Sequence, residues 1–161
     1  MGTITIPLTR GKQATIDEAD WPLVSPYEWH AKKQKHVWYA DCFVPKEGGG
    51  FRYVKMHRLI LAAPAGVMVD HRNRDGLDNR RANLRLATRS QNGHNYPAWG
   101  KSGFRGVTWC KGKARWESQL CVDGVRHFLG RFASAEDAAR AYDAKARTLM
   151  GDFAWCNFPE G

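Results

Sequence analysis

Three side chains in the stretch VDHRNRDGLDNRRANLRLATRSQN, residues 69 to 92, could together hydrolyse a phosphodiester: Asp70, His71 and Asn92. That reaction needs an activated water and something to neutralise charge on the scissile phosphate. A neutral histidine near pH 7 can take the proton from water, and a divalent metal can carry the charge. Mg²⁺ and similar hard cations prefer oxygen ligands and keep several waters, so the Asp70 carboxylate, the Asn92 amide oxygen and the phosphate itself would suffice. Asp70 and His71 are adjacent, and adjacent residues on a regular strand point to opposite faces. They can converge only if the strand bends or ends there, which the polar loop after them allows.

The same stretch is crowded with arginines. Arg72, Arg74, Arg80, Arg81, Arg85 and Arg89 can each stay solvated or face a phosphate and steer DNA. Asp75, Asp78 and Asn79 read as turn formers. The chain carries a formal net charge of +9 over 161 residues, and residues 52 to 100 hold nine Lys/Arg against three Asp/Glu. Residues 1 to 51 are neutral by the same count, so the excess is centred on the motif rather than spread for solubility. Seven tryptophans, seven phenylalanines and five tyrosines accompany that charge, a combination that points to a nucleic-acid partner. No apolar run approaches a membrane span, and the first residues lack the pattern of a signal peptide, so a cytoplasmic protein with no membrane partner is expected. Cys42, Cys110, Cys121 and Cys156 form no Cys-x-x-Cys pair, so no structural zinc is expected.

The elements that must position these groups are readable in part. TITIPLT alternates as a strand, and KHVWYADCFVP with FRYVKM reads as a hairpin about KEGGG. MHRLILAA reads as a short apolar helix stopped by Pro64 and Gly66, with His57 in a packing role. His30 and His36 belong to no pattern. GVMVDH is then a strand, NRDGLDN a polar loop, and ANLRLAT a second extended piece. A helix follows, with Thr88 as N-cap and Gln91 three residues on, which puts Asn92 in its first turn where the helix end favours an anion.

The pieces MHRLIL and VDHRNRDGLDNRRANLRLATRSQN, with IPLTRGKQATID before them, resemble the HNH endonucleases, in the branch that holds phage and intron homing endonucleases. The resemblance covers roughly residues 5 to 95. It implies a ββα-metal (His-Me finger) core, His71 as general base, Asp70 and Asn92 as ligands of Mg²⁺ or Mn²⁺, and Asn83 as the middle Asn that holds the loop behind the base. The last letter of the motif is here an Asn rather than a His, as in the homing branch. The paired Cys-x-x-Cys knuckles of some relatives are missing.

Beyond NYPAWGKSG, a linker by composition, the pattern changes. GFRGVTWC, ARWESQLCV and VRHFLGRF read as three strands, with a hairpin turn at VDGV. SAEDAARAYDAKARTLMG reads as a helix capped by Ser134, with Asp137 completing the box and Gly151 past its end. Alternation puts Arg105 with Val107 and Trp109, Arg115 with Glu117 and Gln119, and Arg126 with Phe128. An exposed sheet face of Arg and aromatic side chains can enter a major groove, or can be merely solvated. This segment is similar to the plant ethylene-response-factor (APETALA) type of DNA-binding domain over about residues 102 to 158. The resemblance implies DNA contacts from Arg105, Arg115, Gln119, Arg126 and Phe128. Thr108 stands where the plant domain has an arginine, so its DNA target does not carry over.

The sequence therefore predicts an α+β chain: a strand-rich nuclease domain over 1–95, a linker over 96–101 and a three-stranded sheet packed on one helix over 102–161. The expected activity is that of a metal-dependent DNA endonuclease, of homing type, from a phage or its bacterial host, acting on double-stranded DNA as monomer or homodimer. A DNA-binding regulator on an inactive scaffold, and a packaging or defence nuclease, are the alternatives.

Overall fold

The computed structural model describes residues 2–95 and 101–158. It is a mixed α+β structure of small antiparallel sheets and few helices. The chain divides into two compact units, Met1–Arg89 and Ser90–Gly161. The linker expected over 96–101 lies, apart from Lys101, outside the described residues. Among those residues, no helix is long and apolar enough to cross a membrane.

The first unit opens with a hairpin, β1 (Thr3–Pro7) paired with β2 (Gln13–Asp17). Ile6, Ala14 and Ile16 face the core, and Arg10 and Gly11 take positive φ to close the turn. A short helix, α1 (Trp21–Val24), follows, and then three antiparallel strands: β3 (His30–Gln34), β4 (Val37–Pro45) and β5 (Phe51–Lys55). The expected hairpin of β4 and β5 is present. β2 and β3 were not expected from the sequence; β3 has a single apolar residue, Ala31, and owes its extension to pairing with β4.

Helix α2 (Met56–Ile60) is shorter than the eight residues of the apolar segment suggest. It unwinds at Leu61, and Ala62 takes φ 46°. Arg58 stabilises that exit by donating to the carbonyls of Ala63, Pro64 and Val67 at 3.0, 2.8 and 2.6 Å. Met56 and Ile60 sink into the core, which also takes Val24, Trp29, Ala40, Cys42, Val44 and Leu84. Next come β6 (Met68–His71) and β7 (Leu84–Ala87), an antiparallel pair joined by the polar loop. Helix α3 (Arg89–His94) straddles the division between the units.

The second unit is a three-stranded antiparallel sheet of β8 (Val107–Cys110), β9 (Arg115–Val122) and β10 (Val125–Phe132), with β9 in the middle. The sequence suggested a longer first strand. Gly103 and Gly106, both at positive φ, turn the chain before Val107 instead. Helix α4 (Ala135–Met150) packs on one face. Ser134 caps it, accepting from Asp137 N–H at 3.0 Å. Ala135, Ala138, Ala139, Tyr142 and Ala146 form its buried stripe against Val107 and Leu120; small residues here let the helix lie close to the strands. The buried Asp143 carboxylate ties down the tail, accepting from the backbone N–H of Asn157 and of Phe158, both at 2.8 Å. Asn157 Oδ1 in turn accepts from Arg105 N–H at 2.6 Å.

Candidate active site and DNA-contact surfaces

His71 is the last residue of β6 and Asp70 the one before it. Both side chains are buried at 5% exposure, and they meet different partners. The Asp70 carboxylate accepts from Arg85, its cross-strand neighbour on β7, through Nε at 2.8 Å and Nη2 at 2.7 Å. The His71 ring lies among other rings. Its centroid is 4.9 Å from that of His57, nearly perpendicular, and 5.9 Å from that of Tyr39. Tyr39 in turn lies 5.6 Å from His57.

The loop from β6 to β7 is closed by Asn83. Its Oδ1 accepts from Asn73 N–H at 3.0 Å, its Nδ2 donates to the Asp78 carbonyl at 2.7 Å, and its own carbonyl accepts from Arg72 N–H at 2.8 Å. One side chain thus bonds both flanks of the loop. Asp75 and Asp78 accept from the backbone two residues on, as turn formers do. The first hairpin braces the loop from outside: Thr15 N–H donates to the Leu77 carbonyl at 2.9 Å, and Asn79 N–H to the Thr15 carbonyl at 2.7 Å. Gly76 is required where the loop crosses β4, because a Cβ there would collide with the Trp38 carbonyl and the Tyr39 ring.

Arg80, Arg81 and Arg85 are engaged within the first unit. Arg80 pairs with Asp78 at 2.6 Å, and Arg85 with Asp70. Arg81 grips the buried Asp20 through Nε at 3.0 Å and Nη2 at 2.7 Å, and donates to the Ile60 carbonyl at 2.9 Å. Composition cannot reveal these partners, since Asp20 lies 61 residues away. Arg72, Arg74 and Arg89 are exposed. Asn92 stands in α3, in the second unit.

Burial dominates the electrostatics. It pulls the His71 pKa below its ordinary value, opposed by an Asn79 hydrogen bond and by Asp70, Asp75 and Asp78. It drives His57 down to about 2, with His71, Lys55 and Arg58 adding repulsion. Both rings are therefore neutral at pH 7. An unfolded histidine titrates near 6.5, so below that pH the unfolded chain binds more protons. Stability from the neutral His57 ring is complete above 6.5 and is lost as pH falls, at about 1.4 kcal/mol per pH unit, and His71 adds to the loss in the same direction. Melting between pH 7 and 5 should accordingly show a shallower loss for His57→Phe than for the unaltered chain. Equal slopes would contradict the burial of a neutral His57.

Among the described residues, no group of three or more His, Cys, Asp or Glu side chains could hold a metal ion. A hard cation taking one carboxylate, an amide oxygen, phosphate and water does fit the donor chemistry, with Asp70 as the carboxylate.

In the second unit, Arg115, Gln119, Arg126 and Phe128 share the sheet face turned away from α4: Gln119 pairs with Phe128, and Arg126 with Cys121. Phe128 is 56% exposed, and Arg131, paired with Glu117 at 2.8 Å, lies over its ring. Arg105 stands apart from this set, two residues before β8, where its side chain donates to the Gly93 carbonyl at 3.3 Å. Val107 and Trp109, expected beside it, point to the opposite face, where Trp109 meets Trp116 at 5.1 Å. Two ring neighbours of His71 that the sequence did not connect to it are His57 and Tyr39. A histidine within an apolar helix was the only available signal, and it carries no spacing rule.

Comparison with known proteins bears on this site. A family model described as HNH endonuclease matches residues 54–94, which contain β6, β7 and the loop between them. The chain is 28% identical over 152 residues to an uncharacterized HNH endonuclease of Acanthamoeba polyphaga mimivirus, an alignment covering 90% of this chain and 74% of that protein. It is 31% identical over 93 residues to Protein 3.8 of Escherichia phage T7, covering 56% of this chain and 76% of that protein. It is also 68% identical over 35 residues to ethylene-responsive transcription factor 3 of Nicotiana tabacum, but this alignment covers 22% of this chain and 16% of the plant protein.

Proposed function

Because the chain belongs to the HNH endonuclease family, we propose that it is a divalent-metal-dependent DNA endonuclease, with residues 1–95 as a ββα-metal catalytic domain and residues 102–161 as an ethylene-response-factor type DNA-binding domain. The observation that carries this reading is the placement of His71: a buried, neutral imidazole at the end of β6, beside Asp70, with Asn83 locking the loop behind it.

The division of labour follows from the chemistry of each group. His71 takes a proton from the attacking water, which only a neutral imidazole can do. Asn83 is a positioning residue, since its hydrogen bonds hold the loop that begins at Arg72. Asp70 and Asn92 would hold Mg²⁺ or Mn²⁺, which when bound neutralises charge on the scissile phosphate. Arg85 orients the Asp70 carboxylate. Exposed Arg72, Arg74 and Arg89 face the phosphate backbone; Arg80 and Arg81 contribute positive field while bound to their aspartates. Arg115, Gln119, Arg126 and Phe128 read DNA from one sheet face, with Arg105 at its margin. A homing role in a phage or its host is the setting we favour. One such site cuts one strand per visit, so a monomer nicks.

Deleting residues 102–161 separates the two roles. The truncated chain should bind DNA more weakly, with a smaller salt slope, while weak metal-dependent cleavage persists. Unchanged site preference would overturn the domain roles. Binding without cleavage by the full chain would favour a regulator on an inactive scaffold.

A further inference from the structure

His57 lies outside the constellation that the motif suggested, yet its ring touches the proposed base. The two imidazoles are 4.9 Å apart at 87°, the edge-to-face arrangement that aromatic rings prefer. Tyr39 closes the third side of the cluster, 5.6 Å from His57 and 5.9 Å from His71. Neither wall is loose. His57 follows the fully buried Met56 in α2, which Ile60 also anchors in the core. Tyr39 lies on β4, with the Lys55 ammonium 4.3 Å from its ring and Gly76 of the loop pressed against its edge.

We infer that His57 is a positioning residue for the proposed reaction: its ring is the wall that fixes the plane of the His71 imidazole, so that the base meets its water in one orientation. This rests on the nuclease reading of His71. His57 lies in α2 and its ring packs edge to face on that of His71, so it acts through His71 and not on DNA. Its Nδ1 is buried with no hydrogen-bond partner among the described residues, so the ring surface, and not a bond through Nδ1, carries the contact. A misplacement of about 1 Å at a reacting group can cost on the order of 100-fold in rate.

The test is a double-mutant cycle on the full chain with Mg²⁺ and plasmid DNA. His57→Ala should lower kcat roughly 10- to 100-fold with KM for DNA nearly unchanged. His57→Phe, which restores a ring, should recover most of that rate. In a His71→Ala background, His57→Ala should cost nothing further. A loss expressed in KM, or an undiminished His57 effect without His71, would overturn the inference, as would an unchanged kcat in His57→Ala. An inert unaltered chain would instead sink the nuclease reading. The His71 ring signals in NMR, recorded on the same samples, then still decide the positional claim: broadened or shifted signals in His57→Ala support it, and unchanged signals overturn it.

Discussion

Replacing His71 with alanine should slow cleavage by orders of magnitude, to a residual rate, while leaving DNA affinity intact. A positioned general base contributes about 10²- to 10⁴-fold to rate. His57 is adjacent, but burial and its cationic neighbours hold its pKa down at about 2, too low to take up the proton. The carboxylates that raise the His71 pKa, Asp70, Asp75 and Asp78, all lie on β6 or in the loop after it. Asp70 and Asp78 are themselves bound by Arg85 and Arg80. The measurement is single-turnover cleavage at saturating protein, with melting recorded alongside. Removing the ring leaves a space beside Tyr39 and His57, so a modest drop in melting temperature is expected. A variant that keeps its fold and its full rate would show that another group takes the proton.

The second large effect belongs to the other unit. Gly106→Ala should unfold it or come close. Gly106 sits at φ 72°, where a Cβ is strained, and that Cβ would collide with the Tyr142 ring and the Gln119 carbonyl. Tyr142 is 2% exposed in the middle of α4, and the Gln119 N–H donates to the Gly106 carbonyl at 2.9 Å, so neither can move aside cheaply. Overpacking plus left-handed strain amounts to on the order of 3 kcal/mol or more, a large share of a small unit's stability. DNA affinity should fall and its salt dependence flatten, because Arg115, Gln119, Arg126 and Phe128 share a face only while β9 and β10 stay paired. Amide exchange resolved by residue checks this: protection should disappear from β8, β9, β10 and α4 and persist in β4 and β5. Full protection in the second unit would contradict the packing described.

The sequence was most legible where one pattern had one cause. β4 with β5, β9 with β10, and α4 with its Ser134 cap all follow from periodicity and turn chemistry. β3 was hidden because HAKKQ offers one apolar residue, and edge pairing rather than burial holds it extended. β2 was hidden for another reason. Ala14 and Ile16 alternate correctly, but the other edge of the strand is used by the loop at Leu77 and Asn79, some 60 positions on. Arginine partners were invisible for the same reason: Arg81 and Asp20 share no local spacing. In the candidate site, the motif spacing pointed to Asp70, His71 and Asn83. It could not reveal that His57 and Tyr39 line the base, since contacts among rings on three different elements obey no sequence period.

The central claim is that this chain hydrolyses DNA with His71 as its base. Supercoiled plasmid incubated with the full chain tests it most directly, in Mg²⁺ or Mn²⁺ and in EDTA, beside His71→Ala at matched DNA occupancy. The account predicts relaxed or linear product only for the unaltered chain with metal. If the two proteins prove equally inert, or equally active, across many DNA sequences, the account is wrong.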